Sequence, residues 1–214
     1  MRRILAMEAA MWRNLFAWAL RRPVPLGEGE KAYSYNGVVK PILGVFIGLS
    51  VVEIPIFDLI VRKVVPWEPA RWIVLVLGVW GLLWMIGFAA GLKRHPHLVG
   101  DDGIRVRLGN GVDFLIPWAD VVSVSKRYRS LPSNKSVQVE DEAAHVVMGG
   151  QTSVDVRLRA GADVRDFEGA PAQALDKAAD RTGASMAEVH EVRIYADDPD
   201  GFVAAARAGQ PEPA

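Results

Sequence analysis

The chain has 214 residues, half of them hydrophobic, with 25 basic and 25 acidic side chains and no cysteine. A net charge of zero provides no overall positive field, so nucleic acid is not an expected partner. The missing cysteines exclude disulfides, thiolate nucleophiles and Cys-based metal sites.

The balance conceals a division. Residues 1–98 carry 12 Lys and Arg against 6 Asp and Glu, whereas residues 99–214 carry 13 against 19. Residues 2–22 read as an amphipathic helix, with Ile4, Met11, Trp12, Leu15, Phe16, Trp18 and Ala19 on one broad face and Arg2, Arg3, Arg13, Asn14 and Arg21 on the other. Aromatic residues beside bases suit a helix in the headgroup plane, and packing on a polar domain is the alternative. A cleaved signal peptide is the competing reading of this stretch, but Glu8, Arg13 and Asn14 interrupt any apolar core it would need. Pro23, Pro25, Gly27 and Gly29 mark residues 23–37 as a linker, and residues 1–37 as the first region.

Two apolar runs follow, residues 41–61 and 72–92. As a helix each reaches about 31 Å, enough to cross a hydrocarbon core. The loop between them holds Pro66 and Pro69, so residues 38–94 form an antiparallel transmembrane hairpin. If the turn centres near residues 67–68, Gly44 and Gly48 of "GVFIG" lie opposite Gly91 and Gly87 of "GFAAG", letting two backbones approach. The same glycines also suit homodimerisation. Bases gather before the first run and at Lys93 and Arg94, while the loop carries only Arg62, Lys63 and Arg71. Both termini are therefore expected on the cytoplasmic side of a cell (inner) membrane that the chain crosses twice.

Residues 95–214 change pattern. Strands are expected at 103–108, 112–118, 120–129, 136–141, 145–148, 152–158 and 188–196, with Gly109-Asn110-Gly111 as a hairpin turn. Helices are expected at 171–183 and 199–208, the second capped by Asp198 with Pro199 in its first turn, and residues 208–214 as a frayed end.

Seven short strands closed by a C-terminal helix resemble the layout of a PH-like antiparallel β-barrel. The stretch "DDGIRVRLGNGVDFLIPWADVVSV" resembles the opening of bacterial PH domains. With the two spans, "HPHLVGDDG" and "YADDPDGFV", the chain resembles uncharacterised actinobacterial membrane proteins carrying a PH-like module. The excess of Arg over Lys, 18 to 7, suits a high-GC bacterial source. The resemblance implies an α+β membrane protein with a membrane-tethered module and no catalytic activity. The helix at 171–183 departs from a minimal PH domain.

Glu53 and Asp58 lie inside the first span, with Pro55 between them. An ionised acid at mid-span costs about 2.5–3.5 kcal/mol, so such a group has a partner or a purpose. Asp58 stands one turn before Arg62, a favourable i,i+4 pair. Glu53 has no charge within a turn, and the glycine-matched register offers it the Trp80 or Trp84 indole as donor. Its readings are a protonated, inert side chain, a docking point for a partner's span, or a proton or cation handle. Pro55 frees the Val51 carbonyl and invites a kink.

Arg105 and Arg107 on the first strand of the domain, with Lys126, Arg127 and Arg129 on the third, are candidate lipid-headgroup contacts. Each base near an anionic surface adds about 1 kcal/mol. Phosphoinositide-binding PH domains carry a K-x-n-R-x-R set, of which "RVRLGNG" supplies only R-x-R. His95 and His97 point the same way on extended chain, but a third metal ligand is absent nearby. No nucleophile elbow, zinc-protease helix, P-loop or dinucleotide fingerprint is present. The expectation is a non-enzymatic scaffold without cofactor or metal, with membrane lipids and a protein partner, or a second copy, as its contacts. The alternative is an accessory subunit of a transport or channel assembly that uses Glu53.

Overall fold

The computed structural model describes residues 2–109 and 111–210, with residues 2–7 as backbone alone. Asn110 of the expected turn, the side chains of Arg2, Arg3 and Ile4, and the expected frayed residues 211–214 lie outside that description. The chain forms two compact units, one from Met1–Pro23 and Val39–Arg94, the other from Val24–Val38 and His95–Ala214.

The first unit is helical: α1 (Arg2–Ala19), α2 (Lys40–Val64) and α3 (Glu68–Arg94). Both α2 and α3 are long and apolar enough to cross a membrane. No residue of α2 is buried, and α3 buries only Gly87, Ala90, Gly91 and Leu92 among its neighbours. Pro41 occupies the first turn of α2, where a missing N–H is harmless, and the helix continues through Pro55. Arg62 and Lys63 complement the negative end of its dipole.

The hairpin register differs from the glycine-matched one by about one helical turn. Ile54 fills the notch at Gly78, where an added Cβ would lie 3.1 Å from its Cγ1; the sequence register puts residue 57 there. Only three residues, 65–67, separate the helices, and a cross-helix ion pair described below pins their alignment. A Cβ added to Gly44 or Gly48 would consequently meet nothing within 4 Å. Gly87 and Gly91 are filled instead by α1: a Cβ on Gly87 would sit 2.9 Å from Met11 Cγ, and one on Gly91 3.4 Å from Asn14 Nδ2. Met11 and Leu15 are buried there, and Trp12 meets Trp80 edge-on at 5.0 Å. Arg94 Nη1 donates to the Arg22 carbonyl at 2.7 Å, closing the far end of the contact. From sequence α1 is expected in the headgroup plane or, alternatively, on a polar domain; the structure packs it on the face of α3.

The second unit holds β1 (Lys31–Tyr33), β2 (His97–Val99), β3 (Gly103–Leu108), β4 (Val112–Pro117), β5 (Val121–Ser130), β6 (Val137–Glu140), β7 (Ala143–Val146), β8 (Gln151–Leu158), α4 (Ala172–Thr182), β9 (Glu191–Ile194) and α5 (Pro199–Gly209). One sheet runs β1-β2-β3-β4, all antiparallel. The other runs β5-β8-β9-β7-β6, with β7 and β9 parallel. The class is α+β, but two open sheets stand in place of a closed barrel. Parallel neighbours need a long crossover, and the segment carrying β8 and α4 supplies it. Leu175, Ala178 and Ala179 of α4 enter one core with Val106, Phe114 and Ile116 of the first sheet, Val139, Val156 and Ile194 of the second, and Phe202 of α5. Asp198 caps α5, accepting from the Gly201 N–H at 2.9 Å. Gly103 has φ 151°, and a side chain there would strike the Ile116 carbonyl.

Residues 23–37 are expected as linker from sequence, yet Val24–Val38 belong to this unit. Lys31, Ala32 and Tyr33 pair with Val99, Leu98 and His97. Tyr35 is buried, its hydroxyl accepting from the Gly109 N–H at 2.7 Å. Asp197 clasps the same stretch, accepting from Ser34 Oγ at 2.5 Å and the Gly37 N–H at 2.8 Å.

Candidate functional site

The acids of α2 meet different fates. Asp58 takes Arg71 of α3 rather than Arg62 of its own helix, with Nε and Nη2 donating to its two oxygens at 2.6 and 3.0 Å. The guanidinium fork matches a carboxylate bidentately, which the neighbouring turn of one helix does not arrange as well. The pair ties the C-terminal end of α2 to the first turn of α3.

Glu53 has no hydrogen-bond or ion-pair partner among the described residues. It lines a groove of about 390 Å³ between α2 and α3, with Ser50, Ile54 and Phe57 on one wall and Gly78, Gly81, Leu82 and Met85 among the residues of the other. The indoles offered as donors are engaged with other rings, Trp80 with Trp12 and Trp84 stacked on Phe88 at 6.1 Å. Sequence reasoning singled out Glu53 but missed Ser50, Gly78 and Gly81. Their signal was the recurrence of small residues at i and i+3 on α3, legible only once the register is known.

The bases proposed for headgroups do not converge. Arg105 and Arg107 share Asp113 across the β3–β4 hairpin, at 2.6 and 3.4 Å. Register alone foretells this, since Arg107 stands opposite Asp113. Lys126 Nζ donates to both oxygens of Asp200 at 2.7 Å, which raises its pKa. Arg129 pairs with the largely buried Asp155 on β8. Arg127 alone of the five has no counter-ion among the described residues. Exposed pairs of this kind contribute little to stability, yet each neutralises a charge that lipid attraction requires.

His97 is fully used inside the protein. Its Nδ1 accepts the Arg107 N–H at 3.0 Å, so the proton sits on Nε2, which donates to the Tyr195 carbonyl at 3.0 Å. Burial pushes its pKa down to about 4, against smaller opposing effects of the Tyr195 carbonyl and Asp197. With both nitrogens engaged it has no lone pair for the metal weighed from sequence. Among the described residues no three His, Asp or Glu side chains come together as a metal site. Asp197 and Asp198 hold backbone N–H groups, and Asp200 holds Lys126.

Comparison with protein-family models, curated proteins and solved structures gave no match.

Proposed function

We propose that this protein is a membrane-anchored binding and scaffolding protein that recruits a protein partner at the inner face of a bacterial cell membrane. One observation carries the reading: α2 buries none of its residues, while the second unit closes its own core. Helices so apolar need lipid around them, and a unit with a complete core does not. The pairing of β1 with β2 joins the residues before the first span to those after the second, which supports both flanks lying on one side. The distribution of Lys and Arg then favours the cytoplasm.

The polar unit is read as a divergent PH-like module, with two sheets over a shared core and a C-terminal helix. Its most exposed large apolar side chains, Val122 (56%) and Tyr128 (64%), both lie on β5 and suit a protein partner. Anionic lipid is a secondary contact, because four of the five candidate bases are paired within the chain. No catalytic role is proposed. A second reading, an accessory subunit of a transport or channel assembly, is favoured by the unpartnered Glu53.

Photo-cross-linkers at Val122 and Tyr128 in native membranes test the first reading. A cross-link from β5 to a different protein is expected. A chain that stays dissolved without amphiphile, or a C-terminal tag reachable from outside intact cells, overturns it.

A further inference from the structure

We infer that the groove beside Glu53 docks a transmembrane helix of another protein, one that inserts a single Lys or Arg side chain at mid-bilayer depth. This deepens the binding reading above and rests on α2 and α3 spanning a bilayer.

Ser50, Glu53 and Phe57 recur at helical spacing on one face of α2, and the facing residues of α3 run from Val74 to Met85, about 16 Å of helix. Depth comes from two glycines with different surroundings. Gly78 is filled by Ile54, which holds the helices together, whereas Gly81 has nothing within 4 Å and leaves the recess open. A recess of about 390 Å³ accepts a long side chain but not a helix backbone.

The chemistry at its wall is a carboxylate and a hydroxyl, with no donor from the described residues to satisfy the acid. An unpaired acid in hydrocarbon is costly, so a cation brought to it gains both attraction and relief. A bare metal ion is a poor occupant, since hard cations take six or more oxygen ligands and the groove offers far fewer. A second copy is also a poor occupant. Neither span carries Lys or Arg between Lys40 and Arg62, or between Arg71 and Lys93, so a copy laid alongside has no base at that depth.

The test reconstitutes the full chain in phosphatidylcholine vesicles with a synthetic 21-residue Leu/Ala helix bearing one central Lys, and reads association by energy transfer. The Lys helix should bind about tenfold more tightly than the same helix with a central Leu. Glu53→Leu and Gly81→Leu should each abolish the difference, the second by filling the recess from a position where a Cβ meets nothing within 4 Å. Gly44→Leu, in open space outside the groove, should leave it intact. Equal binding of the two helices overturns the proposal, as does a preference that survives Gly81→Leu, or self-association that the Lys helix does not displace. Failure here with cross-links from β5 retained leaves the scaffolding reading standing. A chain that does not enter the vesicles overturns both.

Discussion

The two units solve the problem of apolar side chains in opposite ways. The polar unit buries Phe114, Ile116, Val192, Ile194 and Phe202 in a core of its own. The helical unit leaves Phe46, Phe57, Trp67, Trp72 and Leu77 each at least half exposed and buries little besides a glycine notch. In water the first arrangement is stable and the second is not. The same difference governs polar groups. The polar unit offers Asp113, Asp155 and Asp200 to its bases, whereas the helical unit pairs Asp58 and, among the described residues, leaves Glu53 without a partner.

The sharpest way to break this contrast is to damage one unit and watch the other. Phe202→Ala should destabilise the polar unit by about 3–5 kcal/mol while the detergent-solubilised hairpin keeps its helical circular dichroism. A concerted loss of both signals would mean that the units are not independent. Acid should act next most strongly. His97 is neutral when folded, with a pKa near 4 against 6.5 in the unfolded chain. The unfolded state therefore binds more protons between those values, and stability falls as pH drops from 6.5 toward 4, by up to about 3 kcal/mol. His145, also lowered by burial, acts in the same direction. A thermal melt series should show this slope, and His97→Gln should flatten it.

Within the helical unit, Gly87→Leu should expel Met11 and weaken the α1–α3 contact by about 1–3 kcal/mol. A shift in tryptophan emission from the Trp12–Trp80 pair reads this out, and Gly44→Leu should leave that emission unchanged. The smallest effect separates two arginines. Arg71→Leu should lower the melting temperature of the hairpin more than Arg62→Leu does, and the reverse order would restore the i,i+4 pairing as the one that matters.

Legibility followed the length of the pattern. Residues 41–61 and 72–92 are plain because so long a stretch of mostly apolar positions admits few readings, and β3 and β4 because alternation marks a half-buried strand. The strands β1 and β2 are not, since three residues show no period and Pro23, Pro25, Gly27 and Gly29 imitate a linker. The barrel expectation failed at one place. The helix at 171–183 belongs to the crossover that makes β7 and β9 parallel, and its own sequence pattern does not reveal that. At the candidate site Glu53 stood out by chemistry alone. Sequence distance favours the nearer Arg62 for Asp58 because it says nothing of which turn faces the acid, and the glycine register fails because α1 claims Gly87 and Gly91.

The pairing of β1 with β2 also sets a schedule for synthesis. The ribosome makes Tyr33 and Tyr35 first, then both apolar helices, and only afterwards His97 and Gly109, their neighbours in the finished sheet. The edge of that sheet waits unpaired until the hairpin between has been made. A polypeptide started at residue 95 lacks its outermost strand from the beginning, and should be the wrong fragment to purify when the polar half is wanted alone.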